Sequence, residues 1–138
     1  MNKFEHCVHT YGINGDWYDE LCNIKKHYIC EDTNENLNFW RTCPLTWNLI
    51  NKKCYHKASE KMTYEDAVFY CNSQNSILFE PTYNRQEKTV IDFYNAESSY
   101  WLGATDSSNE GSFQYQSNDK RVEYTNWVGN ATENEPDR

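Results

Sequence analysis

Six cysteines in a polar chain of 138 residues constrain this sequence more than any other feature. They stand at positions 7, 22, 30, 43, 54 and 71. An even number of cysteines in a small polar chain reads as a disulfide framework made in an oxidising compartment, and so as a secreted or extracellular protein. Spacing favours two local bridges, Cys7–Cys22 and Cys43–Cys54, which leaves Cys30 for Cys71 and would tie a strand end to a helix. Six cysteines admit many connectivities, so spacing alone leaves the pairing open. Zinc is the competing use, with His6, His9 and His27 close to cysteines, but no C-x-x-C pair is present. The start, MNKFEHCVHT, lacks the charged-then-apolar pattern of a signal peptide. The cysteines outweigh that observation, and Met1 is expected to be an added residue heading a mature or rearranged chain.

Charge narrows the partners. With 21 acidic against 13 basic residues, a net charge of -8, the chain lacks the basic face that nucleic acid or an anionic membrane asks for. The same balance suits a hard cation such as calcium. No stretch approaches the ~18 apolar residues of a membrane-spanning helix, so no membrane insertion is expected. Aromatics reach 16%, with five Trp and eleven Tyr, so the core of this one domain must rest on large rings. Trp17, Trp101 and Trp127 are expected in that core, and Trp40 and Trp47 beside the Cys43–Cys54 bridge.

The local patterns are mixed. In MTYEDAVFYCNS, Thr63 can cap a helix whose buried positions Tyr64, Ala67, Val68 and Cys71 follow i, i+3, i+4, i+7. In NRQEKTVIDFY, Asn84 and Glu87 have capping-box spacing and Val90, Phe93 and Tyr94 form the apolar side. KKCYHKA, SYWLGA, SFQYQS and HYIC read as short aromatic-rich strands. DSSNEGS (106–112) and the segment from Asn126 onward read as irregular, and EDTNENLN (31–38) as a linker. The class is α+β.

These pieces add up to a resemblance. CPLTW…CY, the capped helix ending in Cys71, then WLGATDSSNEGSFQY, YTNW and Glu135-Pro136-Asp137 resemble the first two thirds of a C-type lectin-like domain. The remaining third stands at the front, in FEHCVHTYGINGDWYDELCNIKKHYICE. The chain therefore resembles a circularly permuted C-type lectin domain: 1–31 as the C-terminal third, 32–42 as linker, 43–138 as the N-terminal two thirds. The tail of one lectin domain followed by the head of the next, in a tandem protein, explains the same order. Either way the pieces are complementary, closing within one chain or between two as a domain-swapped dimer. The resemblance implies two helices, small antiparallel sheets and a long irregular calcium- and ligand-binding loop, and it supports the three disulfides that spacing favours.

It also implies a calcium site at Glu135, Asp137, Glu5 and Asp19, with a backbone oxygen of Asp19 as fifth donor and a cis Pro136 aiming its neighbours at the ion. The same residues with Tyr18 would form the sugar site. Two departures matter: Asp137 stands where mannose-type members carry Asn, and Tyr18 replaces the Asn of the family's Trp-Asn-Asp motif. Ionised carboxylates only accept hydrogen bonds, so sugar hydroxyls lose two donors. The Glu-first turn leans toward mannose- or fucose-like ligands. A second calcium position would use Asp106 and Glu110, with Glu5 as a bridge, while Arg138 and His6 replace two of its expected acids and the arginine would compete with a cation. Asn130-Ala131-Thr132 is an N-glycosylation acceptor pattern, making the chain a candidate glycoprotein.

Three functions follow: a calcium-dependent carbohydrate-binding module, a lectin-like domain that binds protein or another surface, or a glycosidase with paired acids such as Asp16 and Asp19 or Glu133 and Glu135. The last needs a carboxyl held protonated by burial. Those acids sit in polar, turn-rich sequence, so no enzyme is expected.

Overall fold

The structure, a computed structural model, describes residues 6–33, 42–95 and 97–130. Its strands are β1 (His6–Tyr11), β2 (Asp16–Leu21), β3 (His27–Asp32), β4 (Asn48–Ile50), β5 (Lys53–Lys57), β6 (Ser76–Leu78), β7 (Ser99–Thr105) and β8 (Gln114–Tyr115). Two helices, α1 (Tyr64–Ser73) and α2 (Asn84–Tyr94), complete an α+β fold. The strand order is β2-β1-β7-β3-β5-β4, with β6 also on β3 and β8 also on β7. Every pairing is antiparallel except β3 with β7, so the sheet is mixed rather than wholly antiparallel. β3 joins its two halves: His27 and Tyr28 pair with β7, and its later residues pair with β5 and β6. Residues 6–33 thus share one sheet with strands from 48–115.

Alternation along the central strands separates two cores. Val8 of β1 and Tyr100, Leu102 and Ala104 of β7 face a cluster with Trp17, Val90, Ile91 and Trp127. Cys7 and Trp101 face the opposite cluster with Tyr28, Tyr64, Ala67 and Cys71. Helix α2 covers the first cluster and α1 the second. Four of the unassigned segments proved to be strands, β1, β2, β4 and β6. β1 and β7 are buried along nearly their whole length, so neither shows the half-buried alternation that marks a surface strand. Gly103 is demanded by close approach: a Cβ there would meet the Leu78 carbonyl oxygen at 2.7 Å and Glu80 Cγ at 2.8 Å.

Helix α1 starts as its sequence implies, with the Asp66 backbone N–H donating to Thr63 Oγ1 at 3.2 Å. Helix α2 does not. Its N-cap, Tyr83, makes no side-chain cap bond. Instead the Thr82 backbone N–H donates to Gln86 Oε1 at 2.9 Å. Glu87 turns inward, 3% exposed, where its carboxylate accepts from Thr10 Oγ1 (2.6 Å), Trp17 Nε1 (3.0 Å) and the Tyr124 hydroxyl (2.9 Å). The buried stripe of α2 is Glu87, Val90 and Ile91, and Phe93 is 52% exposed, contrary to the apolar side read from sequence. Trp17, Trp101 and Trp127 are buried and Trp47 packs partly buried beside the second core, while Trp40 lies outside the described residues.

Disulfides join Cys7 to Cys22, Cys30 to Cys71 and Cys43 to Cys54. No cysteine is free, so no thiolate is available to zinc. Among the described residues no helix is long and apolar enough to cross a membrane.

Candidate functional site

The chemistry-bearing residues of the described structure gather where β1 begins and β7 ends. The His6 backbone N–H donates to Asp106 Oδ1 at 3.0 Å, and the Asp106 backbone N–H returns to the His6 carbonyl at 3.2 Å. Thr105 Oγ1 donates to the same carbonyl at 2.9 Å. Asp106 Oδ2 accepts from the Gly111 backbone N–H at 3.0 Å, and Gly111 turns the loop with φ of 80°. Asp106, 2% exposed, is thereby fixed as the hinge of the 106–111 turn. The sequence reading took 106–112 as an irregular loop; its first residue is among the most buried acids of the chain.

Asp19 reaches the same place from β2. It pairs with Val8 in the β1–β2 register, which puts it on the His6 face of the ribbon. Its Oδ2 lies 3.9 Å from His6 Nδ1, and Asp106 Oδ2 lies 3.8 Å from that same nitrogen. Ligand atoms of His6, Asp106 and Glu110 all fall within 4.8 Å of one another. So three of the expected ligands, Asp19, Asp106 and Glu110, surround a histidine that sequence reasoning treated as a mere replacement. The signal for His6 was its place directly after Glu5 at the mouth of the expected site.

Tyr18 is not brought in. It pairs with His9 on the other face of β2, and the two rings stack at 5.3 Å with 16° between planes. Asp16 and Asp19, three residues apart in one strand, likewise point to opposite faces and cannot act as a pair. Glu5, Glu133, Glu135, Pro136, Asp137 and Arg138 lie outside the described residues. Asn130 closes a short 3-10 turn, Val128–Asn130.

Two buried groups away from this cluster have shifted pKa values, His9 and Glu80. His9, beside Glu20 (Nε2 to Oε2, 3.5 Å) and Lys26, has its pKa lowered to about 4, by burial first and by Lys26 second. Glu80 accepts from Ser117 through both backbone N–H and hydroxyl, each at 2.9 Å, and so anchors the turn after β8. Burial, with a smaller push from the Glu31 carboxylate, raises its pKa to about 7. The signs oppose. Glu80, raised from near 4.5, contributes stability at low pH that is lost as pH rises through about 7. His9, lowered from 6.5 to about 4, costs stability as pH falls through that window. Within this pair the two slopes nearly cancel between about pH 5 and 6.5, and the Glu80 loss stands alone from there to about pH 7. In thermal melts, Glu80→Gln is expected to abolish the fall above pH ~6.5 and expose the His9 loss on acidification; an unchanged profile would show that Glu80 is not the titrating group.

The comparisons with known proteins agree with this architecture. The family described as "Lectin C-type domain" matches residues 60–138. A perlucin-like protein of Mytilus galloprovincialis is 26% identical over 89 residues, covering 62% of this chain and 57% of that protein. The secretory phospholipase A2 receptor of Bos taurus is 32% identical over 124 residues, covering 80% of this chain and 8% of the receptor. That of Pongo abelii is 26% identical over 137 residues, covering 89% of this chain and 9% of the receptor. The chain thus spans just over half of the first relative and under a tenth of the receptors. No solved structure matches it. A family match over more than half the chain, on an α+β fold with three disulfides, settles the assignment: the chain belongs to the C-type lectin domain family, whose members are in general binding modules rather than enzymes.

Proposed function

We propose that the protein is an extracellular, calcium-dependent carbohydrate-binding module whose primary calcium site is made by Glu135, Asp137, Glu5 and Asp19. One observation carries the reading: Asp19 of β2 reaches the residue that follows Glu5, with its Oδ2 3.9 Å from His6 Nδ1. Domains of this family typically bind calcium, and Asp19 offers the hard carboxylate oxygen that ion requires. The family match extends across Glu135 and Asp137. In this site the protein's carboxylates would hold the ion and accept hydrogen bonds from two neighbouring sugar hydroxyls, with the Glu-first turn favouring mannose- or fucose-like ligands. Three disulfides suit the oxidising exterior of the cell.

The order of the pieces, 1–31, then 32–42, then 43–138, we infer to be that of a tandem lectin chain rather than an engineered permutation. The alignment covering 89% of the chain is longer than the stretch from residue 42 to 138, so it crosses the 32–42 segment in the receptor's own order.

A second reading, a lectin-like surface that binds protein with calcium structural, is favoured by Tyr18. Its ring stacks on His9, on the face of β2 away from Asp19. Thermal melting against calcium decides first. With a Kd near 1 mM, ~10 mM calcium should add about 1.4 kcal/mol of stability. Glu5→Gln should remove most of that gain, and no gain in the wild type rejects the calcium site. A monosaccharide panel with and without EDTA then separates the readings, since failure to bind any sugar in calcium leaves protein binding ahead.

A further inference from the structure

We propose that His6, Asp106 and Glu110 form a site for a zinc-like divalent transition ion, distinct from the calcium site of the preceding reading and not dependent on it. Among the described residues this is the one group of three histidine, cysteine or acidic side chains whose ligand atoms converge. Its donor set does not fit calcium. That ion takes six to eight oxygens, whereas one of the three groups here is an imidazole, which suits zinc, copper, iron or nickel. The coordination number points the same way. Two carboxylates, one of them already accepting two backbone N–H groups, fall short of the six to eight oxygens calcium takes, while zinc closes its shell with four ligands.

The geometry is that of a supported site. Each oxygen of Asp106 already accepts one backbone N–H, from His6 and from Gly111, which fixes the carboxylate and leaves one lone pair per oxygen for an ion. His6 Nδ1 stands 3.8 Å from Asp106 Oδ2, beyond hydrogen-bond length. Ligand atoms around a tetrahedral zinc lie ~3.4 Å apart, so closure asks for a shift of about half an ångström. The half-buried His6 side chain supplies that movement, and the exposed Glu110, whose ligand atom lies within 4.8 Å of the other two, closes on the ion from the turn. With all six cysteines in disulfides, the ion would be held by nitrogen and oxygen alone, leaving at least one position for water.

The test uses the intact, oxidised chain after EDTA treatment, titrated separately with zinc and calcium by calorimetry. Cobalt, whose visible absorption reports its coordination, is bound as a spectroscopic substitute. One zinc-binding event is expected that weakens about tenfold or more in His6→Asn and in Glu110→Gln. Cobalt bands should be altered by both variants and unaffected by His56→Gln, a histidine remote from the cluster in sequence. His6→Asp should trade zinc affinity for calcium affinity, because it restores an oxygen donor. His6 holds Asp106 and Thr105 through its backbone, so its side-chain variants should fold, and Glu110, being exposed, tests the site without risk to the core. Zinc binding unchanged in both ligand variants, absence of zinc binding, or tighter wild-type binding of calcium through Glu110 would each overturn the proposal.

Discussion

Glu87→Leu is expected to destabilise the fold by about 3–5 kcal/mol, because it leaves two buried donors and the part-buried Tyr124 hydroxyl without their shared acceptor. Thr10 Oγ1, Trp17 Nε1 and the Tyr124 hydroxyl all donate to the Glu87 carboxylate, at 2.6, 3.0 and 2.9 Å. They come from β1, β2 and the segment after β8, and the carboxylate comes from α2. One side chain therefore links 6–33 to 84–124. Burial raises the pKa of Glu87, and the three donors oppose that rise by favouring the ionised form. Leucine matches the volume closely, so the loss measures polar satisfaction rather than packing. Glu87→Gln keeps one acceptor oxygen and should cost roughly 1–2 kcal/mol. Urea denaturation with disulfides intact reads both. A leucine variant within 1 kcal/mol of wild type would mean that water or rearranged side chains replace the hub. The effect should reach the ligand site too, since Trp17 lies two residues before Asp19 in β2.

Glu87 also shows where sequence reasoning runs out. Its spacing from Asn84 gives a capping-box pattern, but that local pattern competes with tertiary donors a helix sequence cannot reveal. Thr63, with no such competitor, caps α1 as its spacing implies. The cysteines and the big rings were legible because their chemistry is extreme: Trp17 and Trp101 have nowhere stable to go except the interior. β1 and β2 were missed because HCVHTY and DWYDEL mix polar and apolar residues on both faces, and their pairing is decided by β7, far along the chain. At the site, Asp19, Asp106 and Glu110 could be named from motif positions. What position along the chain could not convey is which face of β2 each residue takes. That single fact draws Asp19 toward His6 and carries Tyr18 away to His9.

Removing the Cys30–Cys71 bridge should cost about 4 kcal/mol, from the entropy of closing a loop across 41 residues of sequence separation. The double variant Cys30→Ala/Cys71→Ala, compared with wild type by urea denaturation, measures it. This bridge has a second use that the other two lack. Cys7–Cys22 lies wholly within 1–31 and Cys43–Cys54 wholly within 43–138, so both form whichever chain the pieces close with. Cys30–Cys71 alone crosses between them, from β3 to α1. If the two pieces close within one chain, non-reducing electrophoresis of the thiol-blocked protein should give a single-chain band. If they close between chains, each swapped pair carries two Cys30–Cys71 links and must run as a covalent dimer that reduction collapses. Closure in one chain is the expected result, because the partner surfaces are then tethered and present at high effective concentration, whereas a dimer must assemble from dilute chains. The same gel run on protein refolded at rising concentration tests that reasoning: a covalent dimer should appear only as concentration approaches the tethered value, of millimolar order for a short flexible connection. A dimer dominating at micromolar concentration would show that the connection strains against closure, and would move the functional unit from one chain to two.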